Sequence, residues 1–110
     1  MLQLGALEIG RGNDGVIYDP ETRKVYTSSG VDGNIVIYNQ VDADTYRLAE
    51  ATTTRPYART MALHPRTKRL YTVTAEGTVD PSKKVNTAPA PFYPNRYFPD
   101  TFTILTYAPK

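Results

Sequence analysis

The chain contains no cysteine. That excludes disulfides and thiolate metal sites and says nothing about redox compartment. It has one histidine, His64, so a metal site would have to rest on carboxylates. Asp42 and Asp44 are too sparse for a calcium loop, which needs more oxygen ligands, and they read as a solvated turn. No apolar run approaches the roughly 18 residues of a membrane-spanning helix. The opening Met1-Leu2-Gln3-Leu4 lacks a basic segment followed by a continuous apolar stretch, so no signal peptide is expected. Amphipathic helical spacing is nowhere sustained for three turns. Phosphate-loop, dinucleotide, nucleophile-elbow and zinc-helix patterns are all absent. The Gly-rich run Gly10-Arg11-Gly12-Asn13-Asp14-Gly15 leads into a strand pattern, so it is a connection and not a phosphate cradle. The expectation is a non-enzyme without a cofactor.

What is present is β-like. A length of 110 residues fits one small domain, and 40% hydrophobic with 22% charged residues is an ordinary globular balance, which argues against wholesale disorder. Nine Tyr favour strands, while nine Pro and seven Gly punctuate turns. Short β-branched and aromatic runs between turn signals predict eight strands. They cover roughly residues 3–9, 15–19, 24–29, 34–39, 46–53, 60–64, 69–75 and 101–107. The turn at Asp19-Pro20-Glu21-Thr22 suits an Asp side chain that accepts from backbone N–H groups two residues on. Asp32-Gly33 suits a hairpin that needs positive φ.

The chain also repeats itself. Residues 18–27, YDPETRKVYT, return at 63–72 as LHPRTKRLYT, an offset of 45 with four identities in ten positions. Ile35-Val36-Ile37-Tyr38 is matched by Phe102-Thr103-Ile104-Leu105 at an offset of 67, so the second copy holds 22 extra residues. These lie near 77–99 and include five of the nine prolines. A period of about 40–45 residues built from strands and turns is the pattern of β-propeller blades. Each blade is a four-stranded antiparallel meander. The run 35–38 is apolar on both faces, as suits a strand sandwiched between sheets, and 46–50 alternates and carries charge, as suits an outer strand.

The segments GNDGVIYDP at 12–20, Lys24-Val25-Tyr26 and Gly33-Asn34-Ile35-Val36-Ile37 resemble a blade of the YncE-like, YVTN-repeat β-propellers. Residues 58–71, the Pro-rich insertion and the closing 101–105 are similar to the last blade of such proteins. The resemblance implies an all-β fold of two four-stranded antiparallel blades, from 10–55 and 56–110, and a scaffold or binding role. Family members are rings of typically seven blades and are often exported; here there are two blades.

Two blades leave raw sheet faces, and propellers close with about four to eight. Either the chain is a piece of a longer propeller, or identical copies complete the ring. Only three strands follow Ala58, so the fourth strand of the second blade is expected from segment 2–9 of a neighbouring copy, in a head-to-tail contact. Residues 1–55 carry a net charge of −3 and residues 56–110 of +5, which is complementary in such a contact. Two blades per copy make an even ring, and a trimer or tetramer is expected.

Three residues stand out as candidates for a channel mouth or binding site. Asp14 and Arg59 hold matched positions at the starts of the two inner strands, where an ion pair between blades is the simpler expectation. His64 matches Asp19 before the turn proline, where bonding to the local backbone is a simpler role than catalysis. A site between copies near Asp14, Arg59 and His64 would be the enzymatic alternative. A second alternative is a binder of single-stranded nucleic acid or polyanions. It would use Arg66, Lys68, Arg69, Lys83, Lys84 and Arg96 interleaved with Phe92, Tyr93, Tyr97 and Phe98. A net charge of +2 supports it weakly.

Overall fold

The structure is a computed structural model that describes residues 1–78, 80, 82 and 94–110. It is all-β, with no helix among the described residues. The first sheet is a four-stranded antiparallel meander, β1 (Asn13–Asp19), β2 (Lys24–Ser29), β3 (Asn34–Asp42) and β4 (Thr45–Thr53), in spatial order. The second contains β5 (Met61–Leu63), β6 (Leu70–Thr74) and β9 (Thr103–Tyr107), also antiparallel. Between β6 and β9 the chain makes a two-stranded ribbon, β7 (Gly77–Thr78) with β8 (Arg96–Tyr97), which strand patterning did not announce.

The turns form for local reasons. Asp19 Oδ1 accepts from the Glu21 N–H (3.2 Å) and Oδ2 from the Thr22 hydroxyl (2.6 Å), closing the β1–β2 turn. Gly33 takes φ 62° in the β2–β3 hairpin, where a side chain would be strained. Left-handed residues recur at fixed separations: Gly12 and Tyr57 (φ 70° and 66°) are 45 apart, Arg23 and Lys68 (56° and 58°) are 45 apart, and Gly33 and Asp100 (62° and 60°) are 67 apart. These are the offsets of the sequence repeat.

The two sheets pack face to face. Ile17, Tyr26, Ile35 and Ile37 of the first meet Met61, Leu63, Leu70 and Tyr107 of the second. Ile35 is 0% exposed at the centre, and Val36 and Ile37 beside it are also buried. β4 is mostly exposed along its length. At Gly15 the sheets approach closely: an added Cβ would stand 2.9 Å from the Arg59 carbonyl oxygen and 2.7 Å from Ser28 Oγ. Ser28 Oγ donates to that same carbonyl.

One expectation is corrected. The second sheet has the three strands that the segment after Ala58 was expected to supply, but residues 1–10 carry no strand, where 3–9 was read as one. A strand exists only by pairing its backbone N–H and C=O groups, and this segment finds no ladder partner among the described residues. As expected of two layers, the single chain does not close on itself among the described residues; it is an open slab of 50 × 34 × 19 Å with a radius of gyration of 15.7 Å. A compact domain of this length has a radius of about 13 Å.

Candidate functional site

β-strand alternation gives each sheet two faces. The inner faces meet in the core; the far faces are the open flanks of the slab. On the first sheet the flank holds Val16, Tyr18, Val25, Tyr38 and Leu48, with Val16 67% exposed. On the second it holds Ala62, Tyr71, Val73 and Ile104, with Ile104 62% exposed and the neighbouring Phe102 exposed too. The chain exposes 7748 Å². A compact monomer of this mass exposes about 6,100 Å². Segment 1–9 contributes to that surplus, since Met1, Leu2, Leu4, Leu7 and Ile9 are all exposed.

The flanks are chemically related to the core. Adding 45, or 67 for β3, carries Ile17, Tyr26 and Ile37 of the buried face onto Ala62, Tyr71 and Ile104 of the exposed one. The same offsets carry the buried Leu70 and the half-buried Met61, Leu63 and Leu105 back onto the flank residues Val25, Val16, Tyr18 and Tyr38 respectively. Much of the surface left open on each sheet thus corresponds, through the repeat, to the face that the other sheet turns inward.

An ionic node spans the two sheets beside the core. Lys68 Nζ lies 3.0 Å from Asp19 Oδ2 and 2.9 Å from Glu21 Oε2. The Asp19 carboxyl is held below its ordinary pKa, chiefly by the Thr22 hydroxyl and further by Lys68 and the Glu21 N–H, against the cost of burial. Lys68 is pushed up, first by Glu21 and then by Asp19, against burial. The stability from Asp19 is therefore complete above the unfolded carboxylate value of about 3.9 and lost as pH falls through the lower folded value. That from Lys68 is complete below about 10.4 and lost as pH rises through its raised value. The difference in urea midpoint between the wild type and Asp19→Asn is expected to be flat from about pH 5 to 9 and to shrink below pH 4. A difference unchanged down to pH 2 would show that the carboxylate charge does not hold the sheets.

The three sequence candidates do not converge. Asp14 lies in β1 and Arg59 just before β5, both exposed, at one end of their strands. His64 lies at the other end of β5, about 16 Å from Arg59 at the rise of an extended chain. His64 Nδ1 accepts from the Arg66 and Thr67 N–H groups at 3.2 and 3.1 Å, repeating the role of Asp19 in its own turn. Among the described residues no group of three His, Asp or Glu side chains is placed to hold a metal ion. Lys83, Lys84, Phe92 and Tyr93 lie outside the described residues.

A cleft of about 230 Å³ opens beside the ionic node, lined in part by Lys24, Glu50, Lys68, Tyr107 and Lys110. Its ammonium groups are engaged: Lys24 with Asn39 (2.8 Å), Lys68 with Asp19 and Glu21, and Lys110 with Glu50 (3.5 Å). It falls short of the roughly 300 Å³ at which ligand pockets begin. The node was missed in the sequence as a contact, although Asp19 and Lys68 lie in repeat-matched turns; the open sheet faces were expected. Comparison with known protein families, with curated proteins and with solved structures finds no match for this chain.

Proposed function

We propose that this protein is a non-catalytic β-propeller unit of two blades that self-associates head to tail into a ring, serving as a scaffold or binding module. The observation that carries the reading is the pair of flanks. Each is apolar, each is open, and each carries the repeat counterparts of residues buried between the two sheets. A second copy offering its second-sheet flank to the first-sheet flank would reuse an interface the chain already makes once. Such a heterologous contact closes when the rotation per copy divides the circle. The paired left-handed residues and the YVTN-like repeat support the same reading. So does the charge asymmetry between the halves, which steers register more than it adds affinity.

Light scattering of the purified chain tests it. Three or four copies of the 12.3 kDa chain give a discrete mass of about 37 or 49 kDa. A monodisperse monomer at micromolar concentration would remove the proposal. The polyanion alternative would use Arg66, Lys68, Arg69 and Arg96 of the second half, of which Lys68 is already held by Asp19 and Glu21. Salt-sensitive retention of single-stranded oligonucleotides would favour it.

A further inference from the structure

We propose that residues 2–8 of one copy form the missing fourth strand of a second copy's three-stranded sheet, adding antiparallel to β9 at its open edge. This rests on the self-association reading and specifies where and how copies join. β9 pairs with β6 on one side only, and its other edge meets no strand among the described residues. An unpaired edge of five residues is a template for strand addition.

The donor segment is already placed for the task. Although it carries no strand, the Glu8 carbonyl accepts from the Tyr38 hydroxyl at 2.7 Å, and the Gly10 carbonyl from Ser29 Oγ at 3.0 Å. The first contact has a counterpart. Tyr107 of the second sheet donates to the carbonyl of Thr53, the last residue of β4, at 3.2 Å. Glu8 and Thr53 are 45 residues apart. In each case a tyrosine reaches from one sheet to the end of an outer segment belonging to the layer beside it. The segment therefore stands against the first sheet much as β4 stands against the second. The chain leaves both by the same turn, with Gly12 and Tyr57 left-handed at matched positions.

What the segment lacks is the rest of its layer. Between it and the first-sheet flank runs an open groove of about 750 Å³, lined by Leu2, Leu4, Leu7, Val25, Tyr38 and Tyr46 among others. The fitting occupant must bring strands that end at an unpaired edge, with an apolar face toward Tyr38 and Val25. The second sheet of another copy meets both conditions, through β9 and through Tyr71, Val73 and Ile104. Carrying the β3–β4 register across by the repeat offsets sets Ala6 opposite Thr103, as Ala51 stands opposite Val36, and Leu7 opposite Phe102, as Thr52 stands opposite Ile35.

The chain is free of cysteine, so a designed pair reports cleanly. The double variant Ala6→Cys/Thr103→Cys is expected to give, after mild oxidation, a covalent ladder of dimers and higher species that reductant collapses. The pair Ala6→Cys/Thr106→Cys, three positions out of register, is expected to remain monomeric on a denaturing gel. In the unmodified protein the amides of residues 4–8 should exchange at least ~100-fold more slowly than in an unpaired segment. An oligomer that yields neither the ladder nor this protection overturns strand donation and leaves self-association standing. A monomer by light scattering overturns both. A disulfide within one chain overturns strand donation, because it would mean that the segment returns to its own β9.

Discussion

Replacing Ile35 by Ala is expected to lower the unfolding free energy by roughly 3–4 kcal/mol, read from urea denaturation at fixed protein concentration. Ile35 is 0% exposed and sits in the cluster with Tyr26, Ile37 and Leu70. It lies on β3, between β2 and β4, so neither neighbouring strand can move in to fill the space without breaking a ladder. Truncation loses the transfer free energy of the removed carbons and leaves a cavity. A domain of this size has a total stability of about 5–15 kcal/mol. The loss is therefore a large part of the whole, and the variant should show a substantial unfolded population on warming. A change below about 1 kcal/mol would mean that the two sheets are not held together by this cluster. Fixed concentration matters, because association adds a mass-action contribution to apparent stability.

The second large effect is on assembly. Val16→Glu and Ile104→Glu each place a carboxylate on a different flank. In an isolated chain both positions are largely exposed, and such changes stay within about ±0.5 kcal/mol. Between copies each carboxylate would be desolvated without a partner, at a cost of several kcal/mol. Each variant alone is expected to be a folded monomer of 12.3 kDa, with the far-UV circular dichroism of the wild type. Mixed together, each still owns one intact flank, and the two intact flanks are complementary. The mixture should form a discrete 1:1 pair of about 25 kDa that grows no further. A self-complementary contact would behave differently, since a variant defective in its patch could not be rescued by the other. Failure of the mixture to pair would remove the head-to-tail geometry.

Much of the fold was legible because turn chemistry and alternation are local. The Asp19-Pro20 turn, the Asp32-Gly33 hairpin and the two-faced apolar run of β3 all lie within short windows, and strands β1 to β4 fall close to where those windows put them. The segment 3–9 illustrates the limit. Leu2, Leu4, Leu7 and Ile9 pattern like a strand, yet a strand is a property of two segments, and the partner is not in the described part of the same chain. The candidate site was legible in position and not in contact. His64 was placed correctly in its turn, and its Nδ1 accepts the local N–H groups. The contact of Lys68 with Asp19 and Glu21 was invisible, because it depends on how one sheet slides over the other. The short ribbon of β7 and β8 has two residues per strand, too few to show a period.

The ionic node has a consequence for how an assembled ring would come apart. Within a chain the layers are clamped by a carboxylate and an ammonium group, Asp19 and Lys68. At the repeat-matched positions stand His64 and Arg23, so the seam between neighbouring copies cannot reproduce that clamp. Seams of two strengths would alternate around the circle, and rupture would begin at the copy boundaries, releasing whole chains with their own two layers still stacked.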